Sequence, residues 1–133
     1  MGLLAASCRS VAGRVLLVDD DEYVRDVMEM ILEGVGHSVK ATGNGFEALR
    51  WLEEQSYDLL ISDLKMPEID GPTLYREVLA RWPSGGPHVL FVSGFAETSG
   101  YEAALKALDV PVLFKPFTLD ELSDAVNRAL ATV

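Results

Sequence analysis

The hydrophobic positions of this chain follow two alternating patterns. Short, nearly continuous apolar runs are typical of strands that are buried on both faces of a parallel sheet. Between them lie longer segments in which apolar residues recur every three or four positions, which predicts amphipathic helices. The predicted strands are RVLLVDD, HSVKAT, YDLLISD, HVLFVSG and VPVLFKPF.

The helical segments show recognisable ends as well as apolar stripes. Gly36 closes the first helix, and His37 beside it is expected to be exposed. Thr118 is the predicted N-cap of the last helix, and Glu121 three residues later would complete a capping box. Further helices are predicted around Leu74, Val78 and Leu79 and across Ala103 to Leu108. The predicted apolar stripes of the other three helices are Val24, Val27, Met28, Ile31, Leu32 and Val35; Phe46, Leu49 and Leu52; and Leu119, Leu122, Val126, Ala129 and Leu130.

Strands that alternate with helices define the expected fold class. Five of each predict an α/β fold in which a five-stranded parallel sheet is covered by helices on both faces. Because crossovers between parallel strands are right-handed, few topologies remain, and a flavodoxin-like order 2-1-3-4-5 is expected at this length. HSVKAT is the most polar strand and is therefore expected near a sheet edge.

Length and charge narrow the functional classes. A chain of 133 residues predicts one domain, which we assign to residues 13–133, with residues 1–12 as an amino-terminal tail or linker remnant. The net charge of −10 disfavours a nucleic-acid surface and suits a metal cation or a basic partner. No apolar run approaches the roughly 18 residues of a membrane span. The single cysteine, Cys8, cannot form an internal disulfide, so a cytoplasmic protein is the simplest expectation.

Polar residues stand at the ends of four predicted strands. The first strand runs into Asp19-Asp20-Asp21, the third ends at Asp63, the fourth at Ser93 and the fifth near Lys115. In a parallel sheet these ends lie on one edge, where ligands bind. Each residue also has an ordinary structural interpretation: a helix cap, an Asx-turn, a strand-end hydroxyl or a surface lysine. Those interpretations do not explain why all four occur at the same edge.

The acidic cluster points to a metal ion. Carboxylates about 4 Å apart repel by roughly 4 kcal/mol per pair at an effective dielectric of about 20, so one must take up a proton or a cation must bind. An all-oxygen set without His or Cys suits Mg²⁺, and Lys115 would tolerate a phosphate nearby. Together these groups suggest phosphoryl transfer with Asp63 as the nucleophile.

At these motifs the sequence resembles the receiver domain of response regulators in two-component (phosphorelay) signalling. The matching stretches are LLVDDDE, LLISDLKMPEIDG, FVSGF and FKPF, each at a predicted strand end and in the same order. The resemblance extends from about Gly13 to Leu130. Each motif alone would be a weak signal, but the four together are highly specific.

The resemblance implies a role for each site residue. Asp63 would accept the phosphoryl group from a sensor histidine kinase or a phosphotransfer protein. Mg²⁺ would be bound by Asp19, Asp20, Asp63 and the backbone carbonyl of Lys65. Ser93 would bond a phosphoryl oxygen, and Lys115, preceding a cis proline, would pair with the phosphate. A downstream protein target is a further expectation, and whether phosphorylation drives formation of a homodimer stays open. No nucleic acid or membrane is expected as a partner.

One position departs from the family pattern. Three residues before the lysine, receiver domains often carry a Tyr or Phe whose ring turns inward on activation, and this chain has Val112. The helix after Gly94 is therefore expected to report the active state instead. The side chain of Lys65 would overhang the site and alter the access of attacking water.

Alternative readings remain open at this point. The chain could be a stand-alone receiver, the carboxyl-terminal receiver of a hybrid sensor kinase or a truncated regulator, in each case a phosphoacceptor signalling domain and not an enzyme. A Mg²⁺-dependent phosphatase with an aspartyl-phosphate intermediate is the alternative from another class. Phosphatases of the haloacid dehalogenase type want an acid two residues after the nucleophile, where this chain has Lys65. A degenerate receiver that is never phosphorylated fits the complete acidic set poorly.

Overall fold

The computed structural model describes residues 12–131. Within that range it contains five strands, which are β1 (Arg14–Val18), β2 (Ser38–Thr42), β3 (Leu59–Asp63), β4 (His88–Gly94) and β5 (Val112–Lys115). The α-helices are α1 (Glu22–Gly34), α2 (Gly45–Glu54), α3 (Gly71–Arg81), α4 (Glu102–Leu108) and α5 (Leu119–Ala131), and a 3₁₀ turn covers Phe95–Thr98. Cys8 and nearly all of the proposed tail lie outside the described residues.

The strands form a single parallel sheet in the order β2-β1-β3-β4-β5. The predicted α/β fold and strand order are thereby confirmed. Every residue of the central strand β3 is buried, whereas β2 alternates between exposed and partly buried positions until its last residue, Thr42, which is buried. The polar character of β2 follows from its place at the edge, where only one neighbouring strand covers it.

Helices cover both faces of the sheet, because successive strand residues point to opposite sides. On one face, Leu16, Leu60 and Phe91 pack with buried residues of α2 and α3. On the other, Leu17, Ile61 and Val92 pack with α1 and α5. Two apolar layers therefore hold the sheet rigid, and none of the described helices is long and apolar enough to cross a membrane.

Side-chain caps fix where the helices begin. Asp21 accepts hydrogen bonds from the first amides of α1, and Asn44 does the same for α2. The predicted capping box of α5 is confirmed: the Glu121 carboxylate accepts from Thr118 N–H at 2.8 Å, and Thr118 Oγ1 accepts from Glu121 N–H at 3.0 Å. Each cap satisfies amides that have no partner inside the helix.

The predicted exposure of several side chains is wrong. Phe46 and Leu119 are exposed by 56% and 54%, and Val35, the C-cap residue of α1, is exposed by 38%. His37 is wrong in the opposite direction, with 5% of its surface exposed. Its Nδ1 accepts a hydrogen bond from Gly13 N–H at 3.0 Å, so the residue that precedes β1 contacts the imidazole.

Candidate functional site

The carboxyl edge of the sheet brings together residues that are far apart in sequence. In the strand register Asp63 lies opposite Val92, and Gly94 lies opposite Lys115. Asp19 follows β1 directly and donates its own N–H to the Thr42 carbonyl oxygen at 3.1 Å. The backbone thus places one end of β1, β3, β4 and β5 around a common point.

Three carboxylates meet at that point. Asp19, Asp20 and Asp63 each offer a carboxylate oxygen within 4.8 Å of the others. Asp19 and Asp63 are almost fully buried, and Asp20 is exposed. Asp19 Oδ1 accepts from Asp21 N–H at 2.9 Å, and Asp63 Oδ1 accepts from Leu64 N–H at 2.8 Å. These bonds orient the two buried carboxylates.

The ammonium of Lys115 lies between the two buried acids. Its Nζ is 3.3 Å from Asp19 Oδ2 and 3.5 Å from Asp63 Oδ2. The Lys115-Pro116 peptide bond is cis, as the resemblance implied. One cation therefore pairs with the free oxygen of each buried acid.

Burial controls the ionisation of this cluster. It raises the pKa of Asp63 to about 6; Lys115 opposes that rise, while Asp19 and Glu97 add to it. Burial also raises the pKa of Asp19 above its usual range. For Lys115, burial alone would lower the pKa, but the charges of Asp63 and Asp19 outweigh it and raise the pKa. Ionisation of Asp19 and Asp63 therefore costs free energy in this structure.

The donor set suits a hard divalent cation. Three carboxylates against one ammonium leave two uncompensated negative charges, and every side-chain donor is an oxygen. Mg²⁺ prefers such ligands and retains waters, so the exposed Asp20 side of the cluster fits it. Lys65 lies in the loop after β3, two residues from Asp63, and its side chain is exposed.

Ser93 lies at the same edge but is bonded locally. It is fully buried near the end of β4, and its hydroxyl donates to the Gly94 carbonyl oxygen at 3.2 Å. In the part of the chain that the structure describes, this hydroxyl bonds to backbone and not to the acidic cluster. Of the predicted site residues, the structure clusters Asp19, Asp20 and Asp63 and pairs Lys115 with Asp19 and Asp63.

The loop after β3 packs tightly behind Asp63. Gly71 begins α3, and a Cβ at this position would overlap the Asp63 carbonyl oxygen. Gly71 N–H also donates to the Leu64 carbonyl oxygen at 2.8 Å. Only glycine allows this approach, so the motif ending in Asp70-Gly71 closes the loop against the strand that carries Asp63.

Sequence reasoning missed three residues near this site. Arg25 donates to the Asp19 carbonyl oxygen at 2.8 Å. The Glu97 carboxylate accepts from Gly94 N–H at 3.0 Å, and Tyr101 Oη donates to Asp70 Oδ2 at 3.1 Å. The three-residue spacing from Gly94 to Glu97 resembles a capping box and could have been noticed. Nothing in the sequence pattern points to the other two contacts, which depend on tertiary packing.

A family model for the response regulator receiver domain matches residues 15–127. The chain belongs to this family. Receiver domains are signalling domains of two-component systems, and this family in general binds Mg²⁺ at an acidic pocket and is phosphorylated. The recognition made from the four motifs is therefore confirmed.

Relatives of this receiver domain include proteins of very different length. The response regulator receiver protein CpdR of Brucella abortus is 33% identical over 88% of this chain and 96% of its own length. The sensor kinase CckA of Brucella abortus is 37% identical over 91% of this chain, which is 13% of the kinase. The chain spans about a quarter of the transcriptional regulatory protein ZraR of Salmonella typhimurium, with 32% identity.

Solved structures show the same fold. A response regulator receiver domain protein from Clostridium thermocellum superposes with a TM-score of 0.78 at 30% identity, covering 90% of this chain and 94% of its own. The chemotaxis protein CheY4 of Vibrio cholerae gives a TM-score of 0.79 at 25% identity, covering 90% and 99%.

Proposed function

We propose that Asp63 is the phosphoacceptor of this receiver domain. A carboxylate oxygen of Asp63 would attack the phosphorus of a phosphohistidine in line. The new O–P bond gives an acyl phosphate as the N–P bond breaks, and its electron pair returns to the imidazole nitrogen. The observation that carries this proposal is Lys115 Nζ lying between the free oxygens of Asp19 and Asp63.

Each surrounding residue has a separate task in this proposal. Lys115 would pair with the phosphoryl oxygens as their charge grows, which needs little reorganisation because its ammonium is already at the site. Ser93 would exchange its bond to the Gly94 carbonyl for one to a phosphoryl oxygen. The carboxylates of Asp19, Asp20 and Asp63 and the backbone carbonyl of Lys65 would hold Mg²⁺. When bound, this ion neutralises charge on the phosphoryl group.

Loss of the phosphoryl group to water would reset the domain. Water attacks the phosphorus, inorganic phosphate leaves, and the Asp63 carboxylate is restored. We infer that the exposed Lys65 side chain alters the access of this water. A Lys65→Ala variant should then lose its phosphoryl group at a changed rate, and an unchanged rate would reject the inference.

The wider setting of the domain is a further part of this proposal. We infer that residues 13–133 form the receiver domain in the cytoplasm, and that its phosphodonor is a sensor histidine kinase or a phosphotransfer protein. Of the three relatives described above, the sensor kinase CckA shares the highest identity, 37% against 33% and 32%, which supports a hybrid-kinase origin. The output would be a protein contact that includes α4, β5 and α5, and a phosphorylation-dependent homodimer could form there. Position 112 on β5 is a partly buried valine, so this domain has no aromatic ring there that could rotate on activation.

The test is to weigh the protein after incubation with Mg²⁺ and acetyl phosphate. We expect an adduct of one phosphoryl group that is absent from Asp63→Ala and is not formed in EDTA. An adduct that persists in Asp63→Ala would contradict the proposal. Turnover of many equivalents of an unrelated phosphomonoester would favour the Mg²⁺-dependent aspartyl-phosphate phosphatase instead.

A further inference from the structure

Another carboxylate, outside the cluster of three acids, lies at the carboxyl edge of the sheet. Glu97 lies in the 3₁₀ turn, and its Oε1 accepts from Gly94 N–H at 3.0 Å. Gly94 is the register partner of Lys115 across β4 and β5. The bond therefore holds an anionic group at the strand end beside the ammonium. A Cβ on Gly94 would come within 3.0 Å of this carboxylate oxygen, so the glycine allows the close approach.

The charge of Glu97 acts on the site as well as on the turn. It raises the pKa of Asp63 and adds to the rise in the pKa of Lys115. Glu97 is thus an anion in electrostatic reach of both residues, although it is not one of the three clustered acids. A phosphoryl group on Asp63 would carry close to two negative charges in place of one and would project them outward from the strand end.

We propose that Glu97 senses phosphorylation: its carboxylate, held on the Gly94 amide beside Lys115, is expelled when Asp63 gains a phosphoryl group. This inference rests on the proposed function of Asp63. The added charge repels the Glu97 carboxylate. The Lys115 ammonium, which attracts Glu97 before phosphorylation, then pairs with the phosphoryl oxygens instead. The bond to Gly94 N–H then breaks, which releases the start of the 3₁₀ turn.

A short series of hydrogen bonds connects the 3₁₀ turn with the start of α3. Thr98 Oγ1 donates to the Phe95 carbonyl oxygen at 2.7 Å, and Tyr101 N–H donates to the Thr98 carbonyl oxygen at 2.9 Å. The Tyr101 hydroxyl reaches Asp70, the N-cap of α3. Expulsion of the carboxylate would break the bond between Glu97 and Gly94 N–H, and the hydrogen bonds that follow it in the turn would loosen. Such a route needs no aromatic residue on β5.

A set of three variants separates the charge of Glu97 from its hydrogen bond. Glu97→Gln removes the charge but keeps an oxygen that can accept from Gly94 N–H, and Glu97→Ala removes both. Glu102→Gln is the matched control, because the Glu102 carboxylate accepts from a glycine amide in the same segment, Gly100 N–H at 2.8 Å. Each variant is phosphorylated with acetyl phosphate and Mg²⁺, and adduct formation is followed by mass.

We expect Glu97→Gln and Glu97→Ala to be phosphorylated about three- to tenfold faster than the parent chain, because one repelling charge is removed. Glu102→Gln should stay within about twofold. Amide exchange supplies a second measurement. Phosphorylation should speed exchange at the Gly94 amide in the parent chain and leave it unchanged in Glu97→Gln, whose neutral acceptor is not repelled.

The outcomes are distinguishable. A Glu97→Gln rate equal to the parent rate, equal acceleration in Glu102→Gln, or a Gly94 amide that stays equally protected after phosphorylation would each overturn the role of Glu97. All three results leave Asp63 as phosphoacceptor. Absence of any adduct on the parent chain would instead overturn the proposed function.

Discussion

The two ends of the parallel strands, the amino edge and the carboxyl edge of the sheet, use polar side chains in opposite ways. At the amino edge, His37 Nδ1 accepts from Gly13 N–H, and the Asp58 carboxylate accepts from Arg14 N–H at 2.8 Å. These side chains satisfy backbone amides at the start of the sheet. At the carboxyl edge, Asp19 and Asp63 lie buried beside each other with one lysine between them. The first edge stabilises the fold, whereas the second holds charge that favours a ligand.

The pKa values express the same contrast. Burial lowers the pKa of His37, which keeps the imidazole neutral and able to accept its hydrogen bond. Burial raises the pKa of Asp63 to about 6, so at neutral pH this carboxylate is ionised in a place that opposes ionisation. Binding of a cation would relieve that opposition. Removing a polar group should therefore destabilise the amino edge and can stabilise the carboxyl edge.

The largest expected effect comes from removing the cation between the buried acids. Lys115→Met should lower the free energy of unfolding by about 2–4 kcal/mol near pH 8, because Asp19 and Asp63 would face each other without compensation. Urea unfolding measures this effect. The loss should shrink as the pH falls through 6 and Asp63 takes up a proton. Lys106→Met, at an exposed position of α4, is the control and should change little; an equal loss there would contradict the assignment.

Removing the Asp63 carboxylate should change the free energy of unfolding in the opposite direction. Because its folded-state pKa is raised, the stability linked to this group is full below about pH 4 and is lost as the pH rises to about 6. Asp63→Asn should therefore raise the free energy of unfolding of the metal-free protein by about 1–3 kcal/mol at pH 8. The gain should vanish near pH 4. Destabilisation at pH 8 would show that the carboxylate contributes to folding as an ordinary buried ion pair.

At the amino edge, removing a polar side chain should destabilise the protein. Asp58→Ala removes the acceptor for Arg14 N–H and should lower the free energy of unfolding by about 0.5–1.5 kcal/mol, since both residues are exposed to solvent. Urea unfolding with and without Mg²⁺ tests the comparison directly. The loss should be the same in both conditions, since this residue belongs to the other edge. A Mg²⁺-dependent loss would break the separation of the two edges.

The smallest effect concerns metal affinity. Protons and Mg²⁺ compete for Asp63, so the dissociation constant for Mg²⁺ should be nearly constant above pH 7 and rise by up to about tenfold per pH unit below pH 6. Titration calorimetry from pH 5 to 8 measures it. The same titration of Asp63→Asn should show a much weaker pH dependence over this range. An equal dependence in the variant would place the titrating group elsewhere.

Much of this arrangement could be predicted from the sequence because parallel strands share a direction. Once β1, β3 and β5 were recognised from their apolar runs, Asp19, Asp63 and Lys115 had to meet at one edge. The cap at Thr118 followed from a local pattern of four residues. These features depend on chain direction or on neighbours in sequence.

Other features depend on side-chain packing and were missed for that reason. His37 looked exposed because its partner, Gly13, is 24 residues away and carries no side chain to suggest a contact. Ser93 was correctly placed at the edge, but its local bond to the Gly94 carbonyl depends on a rotamer. The contact between Tyr101 and Asp70 joins two loops whose approach no periodic pattern encodes.

The most direct test of the central claim identifies which carboxylate becomes phosphorylated. Asp19, Asp20 and Asp63 lie in one cluster, so the mass of the intact protein does not distinguish them. Borohydride reduces an acyl phosphate on aspartate to homoserine, with release of phosphate, and peptide sequencing then locates the converted residue. After treatment with acetyl phosphate and Mg²⁺, we predict homoserine at position 63 alone. Conversion at position 19 or 20, or none on a chain that carries the adduct, would contradict the account.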